Sequence, residues 1–214
     1  MLKDWNRPQQ PKSEELGKRL TEARRRLAAQ QTAIKKKNLP VLVLMEGWGA
    51  SGKGSVLGKI IRNIDPRFFK VATMDMPTEE ERRKPFLYRF FVRIPEAGKF
   101  MFLDGGWLDE VTRSVLKDND DKADYRRKIE SVKRFERQLR DNGYLVVKLF
   151  FQISRHEQKK RLGLLEEDKN TKWRVAEFDH WQNKHYEKCM NVYEQYLCDT
   201  NQASVPWYLI DAKY

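Results

Sequence analysis

The stretch Val41-Leu42-Val43-Leu44-Met45-Glu46-Gly47-Trp48-Gly49-Ala50-Ser51-Gly52-Lys53-Gly54-Ser55 decides how the chain is read. Its first five residues are apolar, the pattern of a buried strand. Beyond the glycines, Val56, Ile60, Ile61 and Ile64 fall near helical spacing. Strand, glycine-rich turn and helix in succession are the setting of a phosphate-binding loop (P-loop). Glycines let the backbone curl until successive N–H groups face one anion, and the following helix offers its positive end. Lys53 then reaches the outer phosphates as a point charge. The spacing from Gly47 to Gly52-Lys53 follows the P-loop pattern, whose next place holds Ser or Thr. Here that place is Gly54, and Ser55 comes one residue late. The hydroxyl helps hold Mg²⁺ in an ordinary P-loop, so metal handling is expected to differ. The phosphate-binding candidates are Gly47, Gly49, Ala50, Ser51, Gly52, Lys53, Gly54 and Ser55.

Further along, Lys99-Phe100-Met101-Phe102-Leu103-Asp104 reads as a buried strand ending in an acid. A carboxylate at the end of a strand beside a P-loop holds Mg²⁺ or deprotonates a hydroxyl. Asp104 is therefore a candidate catalytic and metal-binding residue, with Asp109 a second metal candidate. In Phe86–Arg93, Leu87, Phe90 and Phe91 are expected on a core face. Arg89 and Arg93, four apart, share a helical face and are read as a phosphate clamp or as solvated arginines.

The 214 residues carry a formal net charge of +12, with 40% hydrophobic and 12% aromatic content. That suits a folded domain with a polyanionic partner: nucleic acid, an acidic membrane surface or a polyphosphate-bearing substrate. No nucleic-acid motif and no long apolar run is present, so neither nucleic acid nor membrane is expected as partner. Cys189 and Cys198, ~13 Å apart along one helix, cannot bridge each other, and free thiols in a cytoplasmic protein are expected. His180 and His185 fall on different helical faces, which argues against a metal site there.

Residues 1–38 read as a loose arm followed by a basic helix from Ser13, its candidate N-cap. Thr78 and Ser154 are further candidate caps. The polar segment 113–127 reads as a mobile charged segment and the candidate helical lid of the fold, and a long aromatic helix follows Trp173-Arg174. Five strands alternating with helices predict an α/β fold: a three-layer α/β/α sandwich around a mainly parallel sheet, with residues 39–214 as one domain.

The string resembles the polyphosphate kinase 2 family. The resemblance is carried by Gly47-Trp48 with Gly52-Lys53-Gly54, Asp65-Pro66-Arg67, Pro77-Thr78 with Glu80, Phe86-Leu87-Tyr88-Arg89-Phe90, and Asp104 with Trp107. It continues through Phe135-Glu136-Arg137-Gln138-Leu139, Ile153-Ser154, Glu157-Gln158, Arg161-Leu162, Trp173-Arg174 and Pro206-Trp207-Tyr208. It implies a fold akin to nucleotide kinases. It also implies Mg²⁺-dependent phosphoryl transfer between inorganic polyphosphate and AMP, ADP or their guanine counterparts, with ATP among the products. Lys53, Arg161 and the loop backbone would hold phosphates. Asp104 would serve metal or acceptor, and Arg89 and Arg93 would neutralise transition-state charge.

The chain departs from that family at Gly49, where an aspartate is usual, at Gly105, where an arginine is usual, and at Asp75, where a basic residue is common. The terminal basic helix is also missing. These departures suggest slowed turnover, and a weakened half-domain that binds polyphosphate or nucleotide beside a tandem partner domain or in a homo-oligomer is the competing reading. An ordinary ATP-using nucleotide kinase is a weaker alternative.

Overall fold

The computed structural model describes residues 1–3, 5, 12–117 and 122–213, except the side chains of Ser114 and Lys117. The chain runs α1 (Ser13–Lys36), β1 (Val41–Gly47), α2 (Lys53–Ile61), β2 (Phe69–Thr73), α3 (Glu79–Arg82), α4 (Tyr88–Phe91) and β3 (Phe100–Asp104). It continues with α5 (Trp107–Lys117), α6 (Lys122–Asp141), β4 (Leu145–Gln152), α7 (Arg155–Glu167), α8 (Glu177–Lys184), α9 (Tyr186–Thr200) and β5 (Trp207–Asp211). The strands form one parallel sheet in the order β2-β3-β1-β4-β5. β1 lies at its centre and all its residues are buried, which is why its sequence is apolar from Val41 to Met45 rather than alternating. β2 lies at the edge and is largely exposed.

Connections from β1 run towards one edge, to β2, while those from β3 run past β1 to β4. Right-handed crossovers then put α2 on one face and α5 and α6 on the other. Helices α5, α6 and α9 pack on one another, and α6 also packs on β4. The reversal between β1 and β3 opens a crevice beyond their carboxyl ends, the usual ligand position in such sheets.

Local signals explain several boundaries. Thr78 caps α3 in a reciprocal capping box with Glu81, and the Ser154 side chain accepts from Glu157 N at the start of α7. Other expectations are corrected. The N-cap of α1 is Lys12, without a side-chain cap bond, rather than Ser13. Leu16 and Leu20 on its apolar stripe are exposed, whereas Leu27 and Ile34 pack on the core. The segment 113–127 is helical, as the expected helical lid requires, rather than a charged loop, on either side of residues 118–121, which lie outside the described residues. It ends α5 and begins α6, because Val111, Leu116, Ile129 and Val132 give those polar stretches a buried face. The long helix after Trp173-Arg174 is broken at His185 into α8 and α9. Among the described residues, no helix is long and apolar enough to cross a membrane.

Among the described residues, the core contains one fully buried ion pair. Lys148 of β4 and Glu136 of α6 are both fully buried, with Nζ 2.8 and 3.0 Å from the two carboxylate oxygens. Nζ also donates to Thr200 O, and the carboxylate accepts from Trp107 Nε1 and Gln202 Nε2. Burial pushes Glu136 up and Lys148 down, each opposed by its partner's charge. Removing one member of such a pair costs about 3–5 kcal/mol, chiefly by stranding the other charge. Chemical denaturation should therefore show a loss of that order for Lys148→Met and a much smaller one for Lys148→Met combined with Glu136→Gln.

Candidate active site

Gly47 ends β1 with φ +121°, and a Cβ there would meet Phe151 O at 2.4 Å. Only glycine lets the loop leave the sheet against β4. Trp48 then turns inward and is fully buried. It stacks on Tyr186 at 4.1 Å, meets Tyr193 edge-on, and donates from Nε1 to Gln152. This tryptophan pins the loop to β4 and α9. Ala50 and Gly52 take positive φ, and α2 begins at Lys53. The curl of backbone and the helix N-terminus expected of a phosphate-binding loop are therefore both present.

Lys53 lies back across the loop, with Nζ 2.9 Å from Trp48 O and 3.4 Å from Gly47 O. Arg161 reaches in from α7. It donates to Ser51 O at 3.2 Å and to Lys213 O, while its Nε pairs with Glu157. The Ser51 hydroxyl is buried without a hydrogen-bond partner among the described residues. Gly54 and Ser55 are exposed on the first turn of α2.

Asp104 ends β3 in register with Met45 of β1. A Cβ on Gly54 would stand 3.8 Å from Asp104 Oδ2. The acid thus faces the helix position from which a P-loop hydroxyl is missing. Asp109, in the first turn of α5, has 36% of its side chain exposed. The protein packed around it nevertheless pushes its carboxyl above the ordinary range, against the pull of Arg113 and Lys53, while Asp179 and Asp104 add to the rise.

Among the described residues, no three His, Cys, Asp or Glu side chains converge to hold a metal by themselves. Mg²⁺ usually takes one or two carboxylates and completes its shell with waters and substrate phosphates. Asp104, with Asp109 beside it and the orphaned Ser51 hydroxyl in the loop, fits that mode of binding.

A cavity of about 320 Å³ opens next to these acids, lined in part by Met74, Arg82, Arg89, Asp109, Arg113 and Lys128. Arg89 and Arg93 do not form the expected exposed clamp. α4 is a single turn, so helical spacing does not govern which side chains face out. Arg89 is buried and donates to Asp75 O at 2.5 Å, with Glu110 at 3.4 Å and Glu81 at 3.8 Å. Arg93 pairs with the same Glu81 at 3.6 Å. Phe90 is buried as expected, but Phe91 is exposed.

The family model described as Polyphosphate kinase 2 (PPK2) matches residues 10–214. The chain belongs to the polyphosphate kinase 2 family. Polyphosphate:AMP phosphotransferase of Pseudomonas aeruginosa is 29% identical over 195 residues, 91% of this chain and 39% of that protein. ADP-polyphosphate phosphotransferase 3 of Rhizobium meliloti is 26% identical over 90% of this chain and 68% of its own length. The crystal structure of polyphosphate kinase 2 from Arthrobacter aurescens TC1 superposes with a TM-score of 0.85 at 25% identity, covering 91% of this chain and 70% of that one. The chain thus spans well under half of the Pseudomonas relative and about two thirds of the Rhizobium relative.

Two of the positions singled out in the sequence have distinct surroundings in this polyphosphate kinase 2 domain. Gly105 has φ +86° and lies 3.5 Å, measured from a built Cβ, from Met74. An arginine there would be strained by its backbone. Asp75 faces Arg89 through its backbone carbonyl.

One residue escaped the sequence reading. Glu46, just before Gly47, is 1% exposed. Its Oε1 accepts from Leu108 N at 3.2 Å and occupies the space a Cβ on Gly106 would need, at 2.4 Å. Its Oε2 has no partner among the described residues. An acid closing an otherwise apolar strand was the available signal. Burial, then the charge of Asp109, raises its pKa from 4.5 to about 8. The unfolded chain releases this proton near 4.5 and the folded chain only near 8. Between those values the folded state holds the extra proton, so stability falls as pH rises. Glu46→Gln cannot ionise, so its melting temperature should exceed that of the parent more at pH 8 than at pH 5. Parallel melting curves for the two proteins across this range would contradict the assignment.

Proposed function

We propose that this domain transfers a phosphoryl group between inorganic polyphosphate and a nucleoside mono- or diphosphate, with Mg²⁺. The observation that carries this reading is the placement of Lys53 and Asp104 at the first turn of α2, in the crevice between β1 and β3. The nearby cavity, where Arg82, Arg89, Arg113 and Lys128 stand among Asp75, Asp109 and Glu110, supports it, as do the names of the relatives: polyphosphate:AMP, ADP-polyphosphate and AMP/ADP-polyphosphate phosphotransferases. The excess of positive charge suits a dense polyanion better than a neutral substrate.

Phosphoryl transfer asks little covalent chemistry of a protein, and catalysis is mostly positioning and electrostatic stabilisation. The backbone from Gly47 to Gly52 and the N-terminus of α2 hold one phosphate group. Lys53 leaves the loop carbonyls to reach the transferred one. Asp104, with Asp109, would hold Mg²⁺, which when bound would offset the negative charge of the phosphates. Arg82, Arg89, Arg113 and Lys128 line the neighbouring cavity, together with Asp75, Asp109 and Glu110, and would receive the acceptor's phosphates there. Met74 and Phe90 give the same cavity an apolar wall against which a base can rest.

The direct test incubates the purified protein with Mg²⁺, polyphosphate and each of AMP, ADP, GMP and GDP, with products read by chromatography. Omitting polyphosphate and supplying ATP tests an ordinary nucleotide kinase in the same assay. Lys53→Ala should lower transfer by two or more orders of magnitude, the scale of losing one such contact. Full activity in that variant would remove Lys53 from the phosphates. Polyphosphate binding should weaken steeply with added salt, since attraction between exposed charges is screened beyond ~8 Å at physiological ionic strength. Salt-insensitive binding would instead indicate a small, enclosed ligand.

A further inference from the structure

Gly49 lacks a side chain, yet the space beside it is filled. A Cβ built there would lie 2.0 Å from Oδ1 of Asp179 and 2.6 Å from its carboxyl carbon. The two groups cannot share that volume unless the Asp179 side chain moves aside. Gly49 does not have positive φ, so its backbone would accept other residues and the obstacle is the carboxylate alone.

Asp179 belongs to the first turn of α8, far along the chain from the loop. Its Oδ2 accepts from Ala176 N at 2.9 Å, which fixes the carboxylate while Oδ1 meets the loop. Two buried glutamines hold Gly49 at the same place. Gln182 Oε1 accepts from Gly49 N at 2.9 Å, and Gln158 Nε2 donates to Gly49 O at 3.3 Å and to Gln182 Oε1 at 2.7 Å. Tyr193, buried behind them, takes the amide of Gln182. Helix α8 is therefore bonded, through the Gln182 side chain, to the backbone of the loop. Asp179 also belongs to the site electrostatically: Asp109 feels its charge together with those of Lys53 and Asp104.

We infer that Asp179 supplies, from α8, the carboxylate of the phosphate-binding loop at Gly49, and acts as a positioning residue for magnesium-bound phosphates. The inference rests on the reading of this site as a phosphoryl-transfer centre. A fixed anion beside a loop built for polyanions repels a bare phosphate chain and favours one that arrives with a divalent cation. The charge therefore makes phosphate binding depend on Mg²⁺. A helix cap alone has no such effect, so the two roles part on one measurement.

Asp179→Asn keeps the size of the side chain and an oxygen to accept from Ala176 N, but removes the charge. Calorimetric binding of ADP and of polyphosphate is measured with Mg²⁺ and with a chelator, alongside melting temperatures. In the parent, Mg²⁺ should strengthen binding. In Asp179→Asn the melting temperature should hold, binding without Mg²⁺ should tighten, and the gain from Mg²⁺ should shrink about tenfold or more. Gly49→Asp alone collides with Asp179 and should lose binding. Gly49→Asp with Asp179→Ala moves the carboxylate onto the loop and should recover most of the Mg²⁺ dependence. An unchanged Mg²⁺ dependence in Asp179→Asn, or a double variant no better than Gly49→Asp, overturns the role of Asp179 while leaving the phosphoryl-transfer reading intact. A parent protein that binds neither ligand under either condition overturns both.

Discussion

A buried cation and anion, Lys148 and Glu136, hold the architecture in one arrangement. Two charges taken out of water are tolerated only where every remaining polar atom is satisfied and the geometry is good. Here that condition reaches into five segments. Lys148 lies on β4, Glu136 on α6, Trp107 at the start of α5, Thr200 at the end of α9, and Gln202 in the turn before β5. Trp207 of β5 closes the group from Nε1 to the Thr200 hydroxyl, with its ring 4.8 Å from the lysine. A shift of β4 or α6 would leave an unpaired charge in the core, and a shift of any other segment would leave the pair short of a hydrogen bond. Because Trp107 opens the helix that carries Asp109, the pair also fixes where that acid enters the crevice.

The phosphate-binding loop is constrained from three directions. Below, Gly47 presses on β4 with no room for a Cβ, and Trp48 is clasped by Tyr186, Tyr193 and Gln152. From α7, Arg161 grips the carbonyl of Ser51. From α8, Asp179 and Gln182 meet Gly49. The loop is held by packing and hydrogen bonds to elements distant in sequence, which suits a site whose chemistry depends on positioning.

What the sequence shows and what it hides divide along the range of the interactions. Strand β1, the loop and α2 are legible because each signal is local: an apolar run, glycines, then helical periodicity. The caps at Thr78 and Ser154 are legible for the same reason. The family resemblance is legible because its motifs are spread over the whole domain. Arg89 is misread because a one-turn helix has no periodicity to read, and its partners Asp75, Glu81 and Glu110 are set by tertiary packing. The stretch around 113–127 looks like a charged loop because its buried residues are few and widely spaced. Glu46, Lys148 and Asp179 are single polar residues whose meaning depends on what folds against them. Lys148 sits in an otherwise apolar strand, and only α6 supplies its counter-charge.

The resting place of Lys53 bears on which anions the loop admits. Its ammonium is already solvated by two carbonyl oxygens of the loop it serves. A ligand therefore gains from this lysine only the difference between its own oxygens and those carbonyls. For a neutral hydroxyl or a singly charged carboxylate that difference is small. For a chain of phosphates, each with several charged oxygens within reach, it is large. The loop is thus graded towards ligands of high charge density before any specific contact to a base or sugar is made.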